Sequence, residues 1–211
     1  MPWYSVREQI KSVVVDDGVM TIGRFAFSGC SALASVTIGT SVRDIGQGAF
    51  YGCSSLASVT IPEGVTTIGS SAFSGCSALA SVTIPASVTT IGSGAFQSCT
   101  SLTNIFFLGT SWVVTSIGSY AFSLGTSSVP VTATIHSPNN VANGQLDAYT
   151  GSYTTLNYVA SVLHTYTINV NDATYGSVSP TSVQIYDGTS LVQDGNRLVF
   201  TDGQIVTATP A

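Results

Sequence analysis

The sequence predicts a mainly β chain with short helical turns: a right-handed solenoid of 23-residue units, followed by a small β domain. Three observations predict it. Leu33, Leu56, Leu79 and Leu102 lie 23 residues apart, and so do Ile22, Ile45, Ile68 and Ile91. Phe27, Phe50, Phe73 and Phe96 repeat in the same register, as do Cys30, Cys53, Cys76 and Cys99. From Thr165 onward short alternating runs, punctuated by Asp-Gly pairs, take over. A fixed period of this length marks units that bury their apolar face only against one another.

Composition narrows the function. The 211 residues allow one large domain or two small ones. Charged residues are 7% of the chain, against about 25% in ordinary soluble domains. Solubility therefore rests on Ser, Thr, Asn and Gly. The net charge is −5 and Lys11 is the single lysine, which argues against nucleic acid and anionic membranes, since both need clustered Lys and Arg. No apolar run approaches the roughly 18–20 residues that span a bilayer. The opening MPWYSVREQ has no apolar h-region. It reads as a mature segment behind an added Met, from which a secretion signal has been cut.

Taken in order, the chain begins with a partial unit. Ile10–Val19 aligns with Leu56–Val65, so that Val13 and Val15 match the inward Val59 and Ile61. Trp3, Tyr4, Arg7 and Glu8 are placed to cap the exposed end of the core. In each full unit LASVTI is a half-buried strand of period two, with Leu56, Val59 and Ile61 inward and Ser58 and Thr60 outward. Pro62 or its equivalents, Gly39 and Pro85, stop it for want of an amide or by flexibility. VTTIG is a second short arm, with Val65 and Ile68 inward and Thr66 and Thr67 outward. Gly69 lets the backbone bend. SSAFSGC then folds back as a short helical turn that buries Ala72, Phe73 and Cys76, with Ser70 or Ser71 as its cap.

The cysteines form one column, with neighbours about one strand spacing apart. That distance lies within reach of a disulfide, but parallel in-register side chains point the same way. Free buried thiols are the expectation. A straight column also cannot wrap tetrahedrally around zinc.

The motif V-T-x-I-G-x-x-A-F-x-G-C-x-x-L-x-S-V-T-I-P stands at Val65–Pro85 and, with small departures, at Val19–Gly39, Val42–Pro62 and Val88–Leu108. It resembles the leucine-rich repeats of the BspA-like bacterial surface-antigen family over about residues 10–136. WYSVREQIKSVVVDDGV is similar to the entry segment of these proteins. The resemblance implies a bacterial, secreted or surface-attached protein with adhesion or recognition roles, and no catalytic residue.

After Leu102 regularity fades. Ile105 and Phe107 keep the inward positions, while Phe106 stands in the outward Thr column. Trp112 lies in an insertion that puts Ile117 26 residues after Ile91. Phe106 and Trp112 read as packing against the C-terminal part, with ligand contact as the other reading. VPVTATI (Val129–Ile135) is the last solenoid strand, with Thr132 and Thr134 outward. The chain divides into a capped solenoid at 1–138, a cap or linker at 139–164, and a small β domain at 165–211. Leu146–Leu163 holds a short helix or strand. Tyr149, Tyr153 and Tyr158 read as cap packing, or else as exposed rings for sugar stacking. In the last part, strands are expected at Ser182–Tyr186, Arg197–Phe200 and Ile205–Thr209. Tyr166, Ile168 and Val170 share one strand face. The elements Y-T-x-x-V, G-S-V-S-P and V-T-A-T-P resemble divergent internalin-B-type repeat domains. Such domains continue past the last element, so the chain reads as a fragment, or the small domain as incomplete.

Nothing here converges into an active site. His136 and His164 match no metal-ligand spacing. Asp16, Asp17, Asp44 and Glu63 sit near turns, where solvated charge is the ordinary reading. No phosphate loop, nucleophile elbow or zincin motif occurs. No catalytic residue, cofactor or metal is expected, and the chain is read as no enzyme. The candidate surface is therefore the pair of outward columns Ser35, Ser58, Ser81, Asn104 and Thr37, Thr60, Thr83, Phe106, with Trp112 beside them. It is uncharged and rich in hydroxyls. Its plain reading is a soluble strand face. Its functional reading is an adhesin-like, extracellular or cell-surface module that recognises a host or bacterial surface protein or a glycan. The alternative is a structural spacer that presents another domain. An ice-binding face is disfavoured, because one column is Ser and the repeats are few.

Overall fold

A computed structural model describes residues 3–108, 113–137 and 145–160, and beyond them six further strands. The period builds a parallel β-solenoid whose coils are bonded on three sides. On the first side, Ser12–Val15 pairs in parallel with Ser35–Ile38, residue for residue. Ser81–Ile84 pairs with Asn104–Phe107, which pairs with Val131–Ser137, which pairs with Thr154–Ala160. On the second side, Thr21–Ile22, Asp44–Ile45, Thr67–Ile68, Thr90–Ile91 and Ser116–Ile117 form a five-stranded parallel sheet.

The third side differs from the expected helical turn. AFSGC and its equivalents form linked hydrogen-bonded turns. Ala72 N donates to Gly69 O, Ser74 N to Ser71 O, and Cys76 N to Phe73 O. The interleaved amides reach the next coil: Ser71 N donates to Ser93 O, Phe73 N to Ala95 O, and Gly75 N to Gln97 O. Every second amide thus bonds within the turn and every other one along the solenoid. Ser71 caps no helix. It lies in the left-handed region at φ 54°, in a column with Phe25, Gly48, Gly94 and Tyr120. Gly29, Gly52, Gly75 and Ser98 form a second left-handed column. Among the described residues, helix is confined to 3-10 segments at Tyr4–Gln9 and Asp147–Tyr149.

Gly69 has a role besides the expected bend. An added Cβ would stand 2.7 Å from Gln47 N and from Gly46 C. Adjacent coils approach so closely at this column that no side chain fits between them.

The core is a set of axial columns. Leu56, Val65, Ile68, Ala72, Phe73 and Cys76 are fully buried, and the equivalent residues of neighbouring coils are buried with them. The phenylalanines stack as a continuous ladder: Phe27, Phe50, Phe73, Phe96 and Phe122, at centroid steps of 5.3–5.6 Å. Trp3 continues it at the N-terminal end, 5.8 Å from Phe27, while its Nε1–H donates to Ala26 O.

One departure falls in the middle of the array. At Leu56–Ile61 the long-strand ladder shrinks to a single bridge, Thr60 to Thr83. Val59 and Ile61 remain buried. The same coil is held on its other sides, where Gly69 N donates to Ile45 O and Gly52 N to Ser74 O. Alternation still sets which side chains face in, although the ladder itself is interrupted.

Where the period breaks in sequence it continues in space. Thr154 pairs with Val131 and Tyr158 with Ile135, again 23 residues on. The expected short helix or strand at 146–163 is thus the 3-10 turn Asp147–Tyr149 followed by the strand Thr154–Ala160. Tyr149 and Tyr158 pack partly buried against the core, and Tyr153 is exposed. Farther on, Leu163–Thr167 pairs antiparallel with Ser182–Tyr186. Tyr175–Ser179, Ile205–Pro210, Arg197–Phe200 and Leu191–Asp194 form an antiparallel sheet in that order. Ile168 and Val170, and the turn pairs Asp187-Gly188 and Asp202-Gly203, lie outside the described residues.

Candidate functional site

The strand register carries the two outward columns onto the first side of the solenoid. One runs through Ser12, Ser35, Ser81, Asn104, Thr134 and Asn157. The other runs through Val14 and Thr37, then through Thr60, Thr83, Phe106, His136 and Val159. Ser35, Thr37, Ser58 and Thr60 are exposed, whereas Ser81 and Asn104 are half-buried. Thr83 and Phe106 stand in the outward column but are covered, retaining 9% and 8% of their accessible surface, and Phe106 clusters with Leu108 apart from the main core. The open part of the face is therefore its N-terminal half, together with Asn157 and Val159 at the C-terminal end. Trp112 lies outside the described residues.

At Phe106 the structure assembles a small aromatic and polar ledge. His136 stacks on Phe106 at 4.4 Å, and its Nε2 lies 3.1 Å from Asn104 Oδ1. Burial lowers the His136 pKa, favouring the neutral ring. His136 is absent from the candidate surface read from the sequence. The alternation Thr132, Thr134 extended by two residues would have put it there.

Many hydroxyls serve the coils rather than the outside. Thr66 Oγ1 donates to Arg43 O, Thr89 Oγ1 to Thr66 O, and Thr115 Oγ1 to Thr89 O. Ser54 and Ser77 do the same on another edge. Asp17 accepts from the amide and hydroxyl of Thr40 at 2.7 and 3.0 Å, joining the first coils. Burial raises the Glu63 pKa, and a backbone hydrogen bond from Ala86 opposes the rise.

The four cysteines are free and buried. Their thiols donate along the column: Cys53 Sγ to Phe27 O at 3.2 Å, Cys76 Sγ to Phe50 O at 3.3 Å, and Cys99 Sγ to Phe73 O at 3.1 Å. Burial pushes Cys99 up to about 12, opposed by its hydrogen-bonding environment, and raises Cys53 and Cys76 strongly. Such thiols are poor nucleophiles, because the thiolate is the reactive form. Among the described residues, no group of three or more His, Cys, Asp or Glu side chains could hold a metal ion. No helix there is long and apolar enough to cross a membrane.

Short parallel strands, a buried leucine column and a 23-residue step define a leucine-rich-repeat β-solenoid protein. The family model for the BspA type leucine-rich repeat region matches residues 4–129 in six copies, and the chain belongs to that family. Among solved structures it is similar to the T. pallidum leucine-rich-repeat protein (TpLRR). They share 36% identity over 60% of this chain and 59% of that one, with a TM-score of 0.52. It is also similar in fold to the pneumococcal vaccine antigen PcpA, at 19% identity over 71% of this chain and 36% of that one, with a TM-score of 0.52. A leucine-rich cell surface protein from Faecalibacterium prausnitzii matches at 28% identity over 57% and 40% of the two chains, with a TM-score of 0.39. The chain thus spans well under two thirds of the length of each of these proteins. Comparison with curated proteins finds no match.

Proposed function

We propose that this chain is a non-catalytic, adhesin-like binding module of a bacterial cell surface, recognising a protein or glycan through the outside of its solenoid. The observation that carries the reading is the division of labour among the repeat residues. The Leu, Ile, Phe and Cys columns are all interior. What stands outward in the long-strand columns is uncharged: Ser35, Thr37, Ser58, Thr60, Ser81, Thr83 and Asn104. Ser35, Thr37, Ser58 and Thr60 are exposed hydroxyls of the long-strand face and the first place to look for contact. Membership of the BspA-type family supports an extracellular location. In this reading residues 139–164 close the solenoid and residues 165–211 form a small β-repeat domain of the divergent internalin-B type.

The test is binding of the full chain to arrays of host matrix proteins and surface glycans. The expected ligand is retained equally in dilute buffer and in high salt, because an uncharged face has little to screen. Retention that vanishes with salt, or no ligand on either array, overturns the reading. The strands that follow the matched repeats support a second reading, a spacer that presents another domain. It requires a recognisable functional domain elsewhere in the same gene.

A further inference from the structure

We infer that the turn side of the solenoid, rather than the strand face, carries a binding site for a neutral glycan chain; this rests on the binding-module reading and names its surface and ligand. The site is read from three exposed aromatic rings. Phe25, Tyr51 and Tyr120 are 45%, 49% and 59% exposed on the turn side, beside the buried phenylalanine ladder. Phe25 and Tyr120 also occupy the left-handed column, at φ 55° and 58°. Coils between them carry Gly48, Ser71 and Gly94 at that position. A bulky aromatic is the least suited residue for left-handed backbone, and these two rings contribute nothing to the buried core. Phe25 gains only contacts with Gly48 and the Arg24 guanidinium in return, and strain kept at exposed positions points to selection for contact with something outside.

The layout suits a sugar chain. The Phe25 ring lies against Gly48, where a side chain would collide with it. Tyr51 belongs to the same turn, its amide bonded to Gly48 O. Beside them Arg24 Nη2 donates to Gln47 Oε1 at 2.6 Å, and the Arg24 guanidinium lies over the Phe25 ring, 6.0 Å from its centroid. Tyr120 stands four coils on, roughly 20 Å along the axis at ~4.8 Å per coil, with small residues between. Aromatic faces accept the C–H face of a pyranose, and adjacent amide and guanidinium groups accept and donate to its hydroxyls. The separation fits an oligosaccharide rather than a single sugar. Between Tyr51 and Tyr120 the only formal charge is Glu63, and Arg24 at the Phe25 end is hydrogen-bonded to Gln47, so a charged polymer finds little to pair with.

The experiment is affinity electrophoresis of the full chain through gels containing mixed-linkage β-glucan, mannan or dextran, followed by calorimetry with the polymer that retards it. Phe25→Gly and Tyr120→Gly install the residue already present at Gly48 and Gly94, so thermal stability should hold or rise. Each should weaken binding roughly five- to tenfold, the size of a lost aromatic contact, and the double variant should abolish it. Retardation unchanged in both ring variants, or lost instead in Thr37→Val and Thr60→Val, overturns the turn-side site and leaves a binding module. No retardation in any gel, with a protein ligand found on arrays, overturns the glycan inference alone. Absence of every ligand overturns both.

Discussion

At Gly69 an added Cβ would meet the backbone of the preceding coil at 2.7 Å, and backbone cannot move aside without separating the coils. Gly69→Ala is expected to destabilise the protein by about 1–3 kcal/mol, as overpacking does. Ser98 gives the opposite case. It sits at φ 58° in a column otherwise filled by Gly29, Gly52 and Gly75. Ser98→Gly should relieve left-handed strain and add up to about 1 kcal/mol. Urea unfolding of the two variants checks both signs. If Gly69→Ala is neutral, the close approach of the coils is not a constraint on the fold. The repeating glycine at 69 was legible in the sequence, but its reason was not: a bend and a close approach leave the same letter. The free cysteines were legible as a column. Their donation to the carbonyl 26 residues earlier was not, because that offset links different positions of two coils.

Among the elements, the phenylalanine ladder holds the axis and Trp3 ends it. Each ring covers the next, so the exposed end would otherwise leave Phe27 open on one side. In a solenoid stability is nearly local, passing only between neighbouring coils. Trp3→Ala should cost about 1–2 kcal/mol in lost stacking and burial. The loss should be confined to the first coils. Hydrogen exchange is expected to quicken at residues 12–30 and stay unchanged at 65–79. Equal acceleration in both segments would mean that the array opens as one unit. The turn elements were only half legible. Ala72, Phe73 and Cys76 are buried as the pattern implies, yet the turn is not helical. Apolar spacing over so few residues fits a helical turn and a ladder of linked turns alike, and only the bonds to the next coil separate them.

For the whole molecule, the buried thiols tie stability to alkaline pH. Cys53, Cys76 and Cys99 are held protonated by burial, Cys99 up to about 12. In the unfolded chain a thiol ionises near 9.0. Between these limits the unfolded state binds fewer protons than the folded one, so stability falls as pH rises. Below pH 9 this contribution is fully present, and it is lost progressively toward pH 12. Thermal melts across that window should show a steady decline. Cys99→Ala should melt lower at neutral pH but lose less on going alkaline. A parallel decline in both proteins would place the sensitivity elsewhere.

The 23-residue register, the identity of the buried columns and the outward placement of Ser35, Thr37, Ser58 and Thr60 could all be read from the chain, because each follows from local alternation and from repetition. The strands Ser182–Tyr186 and Arg197–Phe200 were legible for the same reason. Burial of Thr83 and Phe106, the stacking of His136 on Phe106, the continuation of the ladder into Thr154–Ala160 and the exposed rings of the turn side were decided only by tertiary structure. A residue's side of a strand is set by its own neighbours in sequence. Whether that side stays open is set by what the next coil brings against it, and there the period had already failed.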